Sequence, residues 1–173
     1  RSMVGVVFGT GNGGGVVVDG QLLSPSLGVG GEFGHLYAPA HLVKAYDLPI
    51  VQCGCGRMGC IETLVSGQGM SRLAQALTGR SVPPADIATA RQNDPQMDKV
   101  WQVWCELVAE QFLAFDYILN PDVIVIGGGL SNISGICNDL SAALQNAQFK
   151  DFPIPKILLA QGGDVSGARG AAY

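Results

Sequence analysis

The stretch that decides the fold class is Val4-Gly5-Val6-Val7-Phe8, followed by Gly9-Thr10-Gly11-Asn12-Gly13-Gly14-Gly15, Val16-Val17-Val18, Asp19-Gly20 and Gln21-Leu22-Leu23. Val4 to Phe8 is apolar and rich in β-branched residues, which reads as a strand. Gly9 to Gly15 reads as a glycine loop, and Val16 to Val18 as a second, short strand. Asp19-Gly20 is a strong two-residue hairpin signal, so Gln21 opens a third strand. The chain therefore starts as an antiparallel meander and not as a strand–loop–helix unit.

Working outward, residues 24–60 are irregular and rich in Gly and Pro. A loop region of that length in a compact domain is usually functional or stapled by a metal. From Ile61 the pattern turns helical through Leu64, Val65, Leu73, Ala74 and Leu77, with Gly79 as a stop and Gly67 and Gly69 as a break. Ser81 to Pro84 reads as a linker and Pro84 to Gln92 as a short helix. Pro95 opens a long helix with Val100, Val103, Trp104, Leu107, Val108, Phe115, Ile118 and Leu119 on one stripe, and Gln111 as the exception. Asn120-Pro121 ends it.

Val123 to Ile126 is a continuous apolar run before Gly127-Gly128-Gly129, and it reads as a strand buried on both faces. Ser131 or Asn132 is the expected cap of a helix carrying Ile133, Ile136, Cys137, Leu140 and Leu144. Lys156 to Ala160 reads as the last strand. The sum is an α/β domain with a mixed sheet. Both ends look cut: Arg1 leads at once into a strand that needs a neighbour, and Gly170 to Tyr173 reads like the start of a helix. The expectation is part of a longer protein.

With 173 residues the chain suits one domain around one core. Hydrophobic residues make up 47% and charged residues 14%, the opposite of a disordered composition. A formal net charge of -4, with 10 basic residues and no run of them, argues against a nucleic-acid partner. No stretch approaches the ~20 apolar residues of a membrane-spanning helix, so no membrane partner is expected. An odd count of five cysteines, with no leader pattern before the first strand, fits a reducing cytoplasm better than a disulfide scaffold.

Three of those cysteines lie in Cys53-Gly54-Cys55-Gly56-Arg57-Met58-Gly59-Cys60. Cys105 and Cys137 sit in helical contexts and read as small buried hydrophobes. Zinc prefers four ligands from thiolate sulfur and imidazole nitrogen, and glycines let the three cysteines converge. The fourth ligand has to come from His35 or His41. His35, in Gly31-Glu32-Phe33-Gly34-His35, belongs to the same irregular region, while His41 reads as an ordinary core or surface histidine. Three thiolates and one imidazole close the site, so the metal is expected to be structural. The alternative is three plain cysteines in a glycine-rich loop.

Glu32 lies three residues before His35, and Glu62 two residues after Cys60. Acids tethered to a stapled scaffold suit neutral polyols, because a carboxylate accepts charge-assisted hydrogen bonds from hydroxyls. Solvated surface acids are the plainer alternative. Thr10 and the glycines that follow can present a hydroxyl and backbone N–H groups to an anion. They form neither a Walker A loop nor a good dinucleotide fingerprint. Gly127 to Gly129 follow a strand where open α/β sheets bind ligands. For either glycine segment, simple turn chemistry remains the alternative.

These motifs together, with Asn120-Pro121-Asp122 ahead of the strand that ends in Gly127-Gly128-Gly129-Leu130, resemble the ROK family of repressors, open reading frames and sugar kinases. The resemblance covers nearly the whole chain. It implies an actin/hexokinase-like, ribonuclease H-like fold of two lobes, with ATP and sugar in the cleft, of which residues 1–173 form a single C-terminal lobe with a zinc-stapled loop region. The segment from His41 to Gln52, with Tyr46-Asp47-Leu48-Pro49, is similar to family members that transfer the γ-phosphoryl of ATP to the 6-hydroxyl of N-acetyl-D-glucosamine. Carried over, Glu32, His35 and Glu62 would contact the sugar. His35, Cys53, Cys55 and Cys60 would hold zinc. Thr10, Gly11, Asn12, Gly13, Gly14 and Gly15 would meet the phosphates of ATP with its magnesium, and Gly127, Gly128 and Gly129 would lie near the adenosine. The resemblance also suggests a homodimer.

The family's opening Asp-x-Gly-Gly-Thr phosphate motif, and the Asp of an Asn-Asp pair that serves it as catalytic base, do not occur in this sequence. Phosphoryl transfer needs positioning, charge neutralisation and a group that orients the nucleophile. A chain with part of the positioning and no recognisable base is expected not to turn over alone. Two other readings stay open within the resemblance. One is a sugar-sensing repressor, whose helix-turn-helix would precede Arg1. The other is a kinase of glucose, fructose or N-acetylmannosamine. A zinc-stapled interaction domain is the reading outside it.

Overall fold

In a computed structural model of the chain, residues 1–23 and 27–162 are described. Gly170 to Tyr173, read from sequence as a helix start, lie outside them. The elements are β1 (Ser2–Phe8), β2 (Asn12–Val18), β3 (Gln21–Leu22), a 3-10 turn (Phe33–His35), α1 (Ala40–Ala45), α2 (Glu62–Val65), α3 (Gly67–Thr78), α4 (Pro84–Ala90), α5 (Pro95–Leu119), β4 (Val123–Gly127), a second 3-10 turn (Gly129–Asn132), α6 (Ile136–Ala147) and β5 (Lys156–Leu159). The sheet order is β3-β2-β1-β4-β5. β1 pairs antiparallel with β2 and parallel with β4, which in turn runs parallel to β5. This is the expected mixed α/β sheet.

One face of the sheet makes the core. The register sets Val4 beside Ile124 and Val6 beside Ile126, and all four are buried together with Phe8. They meet α5, whose Trp104 and Phe112 ring centroids lie 5.5 and 6.3 Å from that of Phe8. Full burial of each such side chain contributes about 2 kcal/mol. The opposite face is more open: Val7 is 41% and Leu158 51% exposed, and Val125 is half-buried. The expectation that β4 is buried on both faces is therefore corrected among the described residues. α5 packs on one side only.

The helix ends explain themselves locally. Asp94 caps α5 by accepting from the N–H groups of Gln96 and Met97, and Pro95 occupies its first turn. Asn120 ends it with φ 43°, in the left-handed region ahead of Pro121. The break after Ile61 falls at Ser66, whose hydroxyl accepts from Gly69 N–H, so α3 starts at Gly67 and contains Gly69. α6 starts later than expected, behind Gly135, because residues Gly129–Asn132 make their own 3-10 turn. α1 lies inside the region read as irregular.

The meander also differs in one respect. β2 begins at Asn12, so Gly13, Gly14 and Gly15 are strand residues paired with β1 and not part of a loop. The physical reason is close approach. A Cβ on Gly14 would fall 1.8 Å from the Gly5 carbonyl oxygen, and one on Gly31 1.9 Å from that of Gly14. What remains of the loop is the tight turn from Gly9 to Gly11, closed by a Gly9 N–H bond to the Gly11 carbonyl.

Candidate metal centre and sugar site

Two segments bring the metal ligands together. Ile61 N–H donates to the Leu36 carbonyl and Ala38 N–H to the Gly59 carbonyl, so Tyr37 and Cys60 face each other as a short antiparallel bridge. Gly56 and Gly59, with φ 88° and 76°, turn the cysteine loop back on itself, and Cys53 N–H closes it on the Arg57 carbonyl. Arg57 then clamps the two segments, donating to the His35 carbonyl and lying over the Tyr37 ring. This backbone frame places one ligand atom each from His35, Cys53, Cys55 and Cys60 within 4.8 Å of one another. His41 stays apart, 3.5 Å from the Glu110 carboxylate.

The donor set fits a metal. His35 Nδ1 is 3.7 Å from Cys53 Sγ, and Cys55 Sγ is 3.7 Å from Cys60 Sγ. Burial, and then the neighbouring Cys55 and Cys53 thiols, push the Cys60 thiol up to about 12. Such a thiol becomes a stable thiolate only beside a cation. At Cys55, the Arg57 backbone N–H is the main influence that lowers the thiol below its usual range. Four ligands of types S, S, S and N leave no open position, which is the chemistry of a structural metal site.

The acids attach directly to this centre. Glu32 Oε2 is 3.5 Å from His35 Nε2, and Cys53 Sγ is 3.6 Å from Glu62 Oε1. A continuous line of contacts thus runs Glu32–His35–Cys53–Glu62. A ring that gives Nδ1 to a metal keeps its proton at Nε2, on the side of Glu32. The other oxygen of Glu62, Oε2, accepts from the Asn12 backbone N–H at 2.8 Å. Gly34 makes this packing possible: a Cβ there would lie 2.3 Å from the Asn12 carbonyl oxygen and 3.0 Å from Glu62.

The glycine segments leave the sheet at the same end. Because β1 and β4 are parallel, the turn Gly9–Gly11 and the residues Gly127–Gly129 leave from neighbouring strand ends. Gly128 has φ 81°, and a Cβ on it would meet the Phe8 carbonyl oxygen at 2.5 Å. Gly129 borders a cavity of about 650 Å³ between the second 3-10 turn and α4, lined also by Pro84, Ala88, Thr89, Asn132 and Ser134. In the first segment, the Asn12 amide goes to Glu62 and the Gly14 amide to the Gly31 carbonyl. Neither is free for an anion, which leaves the Thr10 hydroxyl and the turn itself.

Two contacts of the site are not legible in the sequence, although Asn12 itself is among the residues expected at the phosphates. The Asn12 amide is a backbone group, with no residue-type signature. Gln111 showed only as a polar break in the α5 stripe, and it is bonded to Asn12 Oδ1 and the Phe33 carbonyl.

The ROK family model matches residues 1–173. The chain belongs to the ROK family. Its fold is that of ROK sugar kinases: the ROK hexokinase from Thermus thermophilus superposes with a TM-score of 0.80 at 30% identity, covering 99% of this chain and 55% of that one. The chain is 37% identical over 171 residues to the protein named N-acetylgalactosamine kinase AgaK of Shewanella sp. (strain ANA-3), covering 98% of this chain and 56% of that protein. It is likewise 37% identical over 174 residues to the N-acetyl-D-glucosamine kinase of Salmonella newport (strain SL254), covering 99% of this chain and 57% of that protein. This ROK chain spans a little over half the length of the curated relatives it matches.

Proposed function

We propose that this chain is the C-terminal, sugar-binding lobe of an ATP-dependent kinase that phosphorylates N-acetyl-D-glucosamine at the 6-hydroxyl. The observation that carries the reading is the run of close approaches Glu32–His35–Cys53–Glu62, which gathers two carboxylates and an imidazole beside one candidate metal centre. Such a trio accepts and donates hydrogen bonds to vicinal hydroxyls at fixed spacing, which is the demand a neutral sugar makes. In this reading Glu32, His35 and Glu62 bind the sugar, and His35, Cys53, Cys55 and Cys60 hold zinc. The zinc, when bound, supplies a cross-link that keeps the acids in place.

Thr10, with the turn that ends at Asn12, meets the phosphates of ATP and its magnesium. Gly127 to Gly129 and the cavity beside α4 take the adenosine. The rest of the kinase supplies the group that orients the sugar hydroxyl, and the reading places it in a reducing cytoplasm as a homodimer. A second reading takes N-acetylgalactosamine as substrate; the equal 37% identity to a kinase of that name favours it.

The test is a coupled kinase assay on the full-length protein with a panel of N-acetylglucosamine, N-acetylgalactosamine, N-acetylmannosamine, glucose and fructose. The expected result is the highest kcat/KM for N-acetylglucosamine, with the product phosphorylated at O6 by NMR. Preference for the galacto epimer selects the second reading, and no turnover of any sugar overturns both. The 173-residue chain by itself is expected to be inactive.

A further inference from the structure

A glutamine in the core-facing stripe of α5 needs a reason. Gln111 is 2% exposed. Its Nε2 donates to Asn12 Oδ1 at 2.6 Å and to the Phe33 carbonyl at 3.0 Å. Asn12 Nδ2 donates to the Val7 carbonyl, so Asn12 turns its Oδ1 towards Gln111. Gln111 Oε1 has no hydrogen-bond partner among the described residues. An apolar side chain of the same size would fill the space and carry no unmatched acceptor of its own. A half-satisfied amide at this place is unfavourable as core packing, so its use lies in what Nε2 holds.

Nε2 holds both limbs of the site from behind. Asn12 follows the Gly9–Gly11 turn, and its backbone N–H fixes Glu62 Oε2. Phe33 sits in the 3-10 turn that carries His35, directly after Glu32. Between them Gly34 is in close approach to the Asn12 carbonyl and to Glu62. We infer that Gln111 is a positioning residue: from the buried side of α5 it sets the spacing between Glu62 and the Glu32/His35 turn, and with it the geometry of sugar binding. Its hydrogen bonds go to Asn12 and Phe33, and not to the side chains proposed for sugar or metal. The inference rests on the sugar-site reading above and extends it to the helix behind the site.

Two variants of the full-length protein test it. Gln111→Met keeps the volume and removes the donor. Gln111→Glu keeps the shape; as a carboxylate it faces two acceptor oxygens, and as a neutral acid its O–H donates to one of them. The expected result for Gln111→Met is a sugar KM raised about tenfold, with the melting temperature lowered by no more than a few degrees. For Gln111→Glu the loss relative to parent shrinks as pH falls from about 8 to about 6, while for Gln111→Met it stays flat.

Amide hydrogen exchange gives a readout that needs no turnover. In Gln111→Met, exchange of the Asn12 and His35 amides is expected to rise about tenfold, while that of Ile124 and Ile126 in β4 stays unchanged. A uniform rise across the core, or a sugar KM unmoved in both variants, overturns the positioning role and leaves Gln111 as core filler. If the parent phosphorylates no sugar, the functional reading fails, and the exchange pattern still decides whether Gln111 holds the two limbs.

Discussion

The backbone N–H of Asn12 donates to Oε2 of Glu62 across fifty residues of sequence, at 2.8 Å. This bond joins the end of the Gly9–Gly11 turn to the acid that follows the cysteine loop. A single strand end thereby couples the segment proposed for phosphates to the segment proposed for sugar. The couple is short and made by a backbone group, so it allows little independent motion of either side. The second oxygen of Glu62 lies 3.6 Å from the sulfur of Cys53, itself a proposed metal ligand.

Glu62→Gln separates charge from geometry. The amide oxygen still accepts from Asn12 N–H but without the charge, so folding is expected to lose about 1 kcal/mol. A sugar hydroxyl loses a charged acceptor worth about 1.5–3 kcal/mol, which predicts a ten- to hundredfold weaker sugar Kd by calorimetry on the full-length protein. Unchanged sugar affinity would remove Glu62 from the site.

Gly34→Ala and Gly54→Ala form a matched pair. At Gly34 the new methyl would sit 2.3 Å from the Asn12 carbonyl oxygen, and neither backbone can yield without moving Glu62. At Gly54 nothing lies within 4 Å. Denaturant titration is expected to show a loss of about 1–3 kcal/mol for the first and a change within about 0.5 kcal/mol for the second. Equal stabilities would mean that the Gly34 turn packs less tightly against β2 than this geometry requires.

Much of this was legible in the sequence, and the exceptions share a cause. Val4 to Phe8 and the α5 stripe declare themselves because periodic burial leaves a periodic pattern. The cluster His35, Cys53, Cys55 and Cys60 declares itself because thiols and an imidazole so close in sequence have few other uses than holding a metal. Gly13 to Gly15 misled, since glycine signals a turn by default and only the facing Gly5 and Gly31 backbones explain it as strand. Residues Ala40–Ala45 form a helix too short for an apolar period to develop. The roles of Asn12 and Gln111 depend on contacts between elements 99 residues apart, which no local pattern encodes.

Metal removal is expected to loosen the site without unfolding the domain. Elemental analysis should find about one zinc per chain, held by His35, Cys53, Cys55 and Cys60. The Tyr37–Cys60 bridge and the Arg57 clamp are made by backbone and guanidinium, so they persist without an ion. Chelation is therefore expected to lower the melting temperature by roughly 5–10 °C while far-ultraviolet circular dichroism barely changes. Folded, fully stable protein with no metal bound would contradict the assignment of the cluster.

Away from the site, the Tyr46 phenol at the end of α1 bonds to α5 alongside the His41–Glu110 pair, and its titration offers a check on that contact. The Tyr46 hydroxyl donates to Glu106 Oε2 at 2.7 Å, and Lys99 Nζ lies 4.4 Å from the ring centroid. The hydrogen bond to Glu106, aided by burial and the carboxylate charge, raises the phenol from 10.0 to about 12. A raised folded-state value means that the contribution is fully present below pH 10 and is lost as pH rises through 12. Tyr46→Phe keeps the ring under Lys99 and removes only the titrating group. Its loss near neutral pH is expected to be about 0.5–1 kcal/mol, because the pair is partly open to water. Between pH 10 and 12 the parent's denaturation midpoint should fall more steeply than the variant's, so the two curves converge. Parallel curves over that range would show that the phenol does not donate to Glu106.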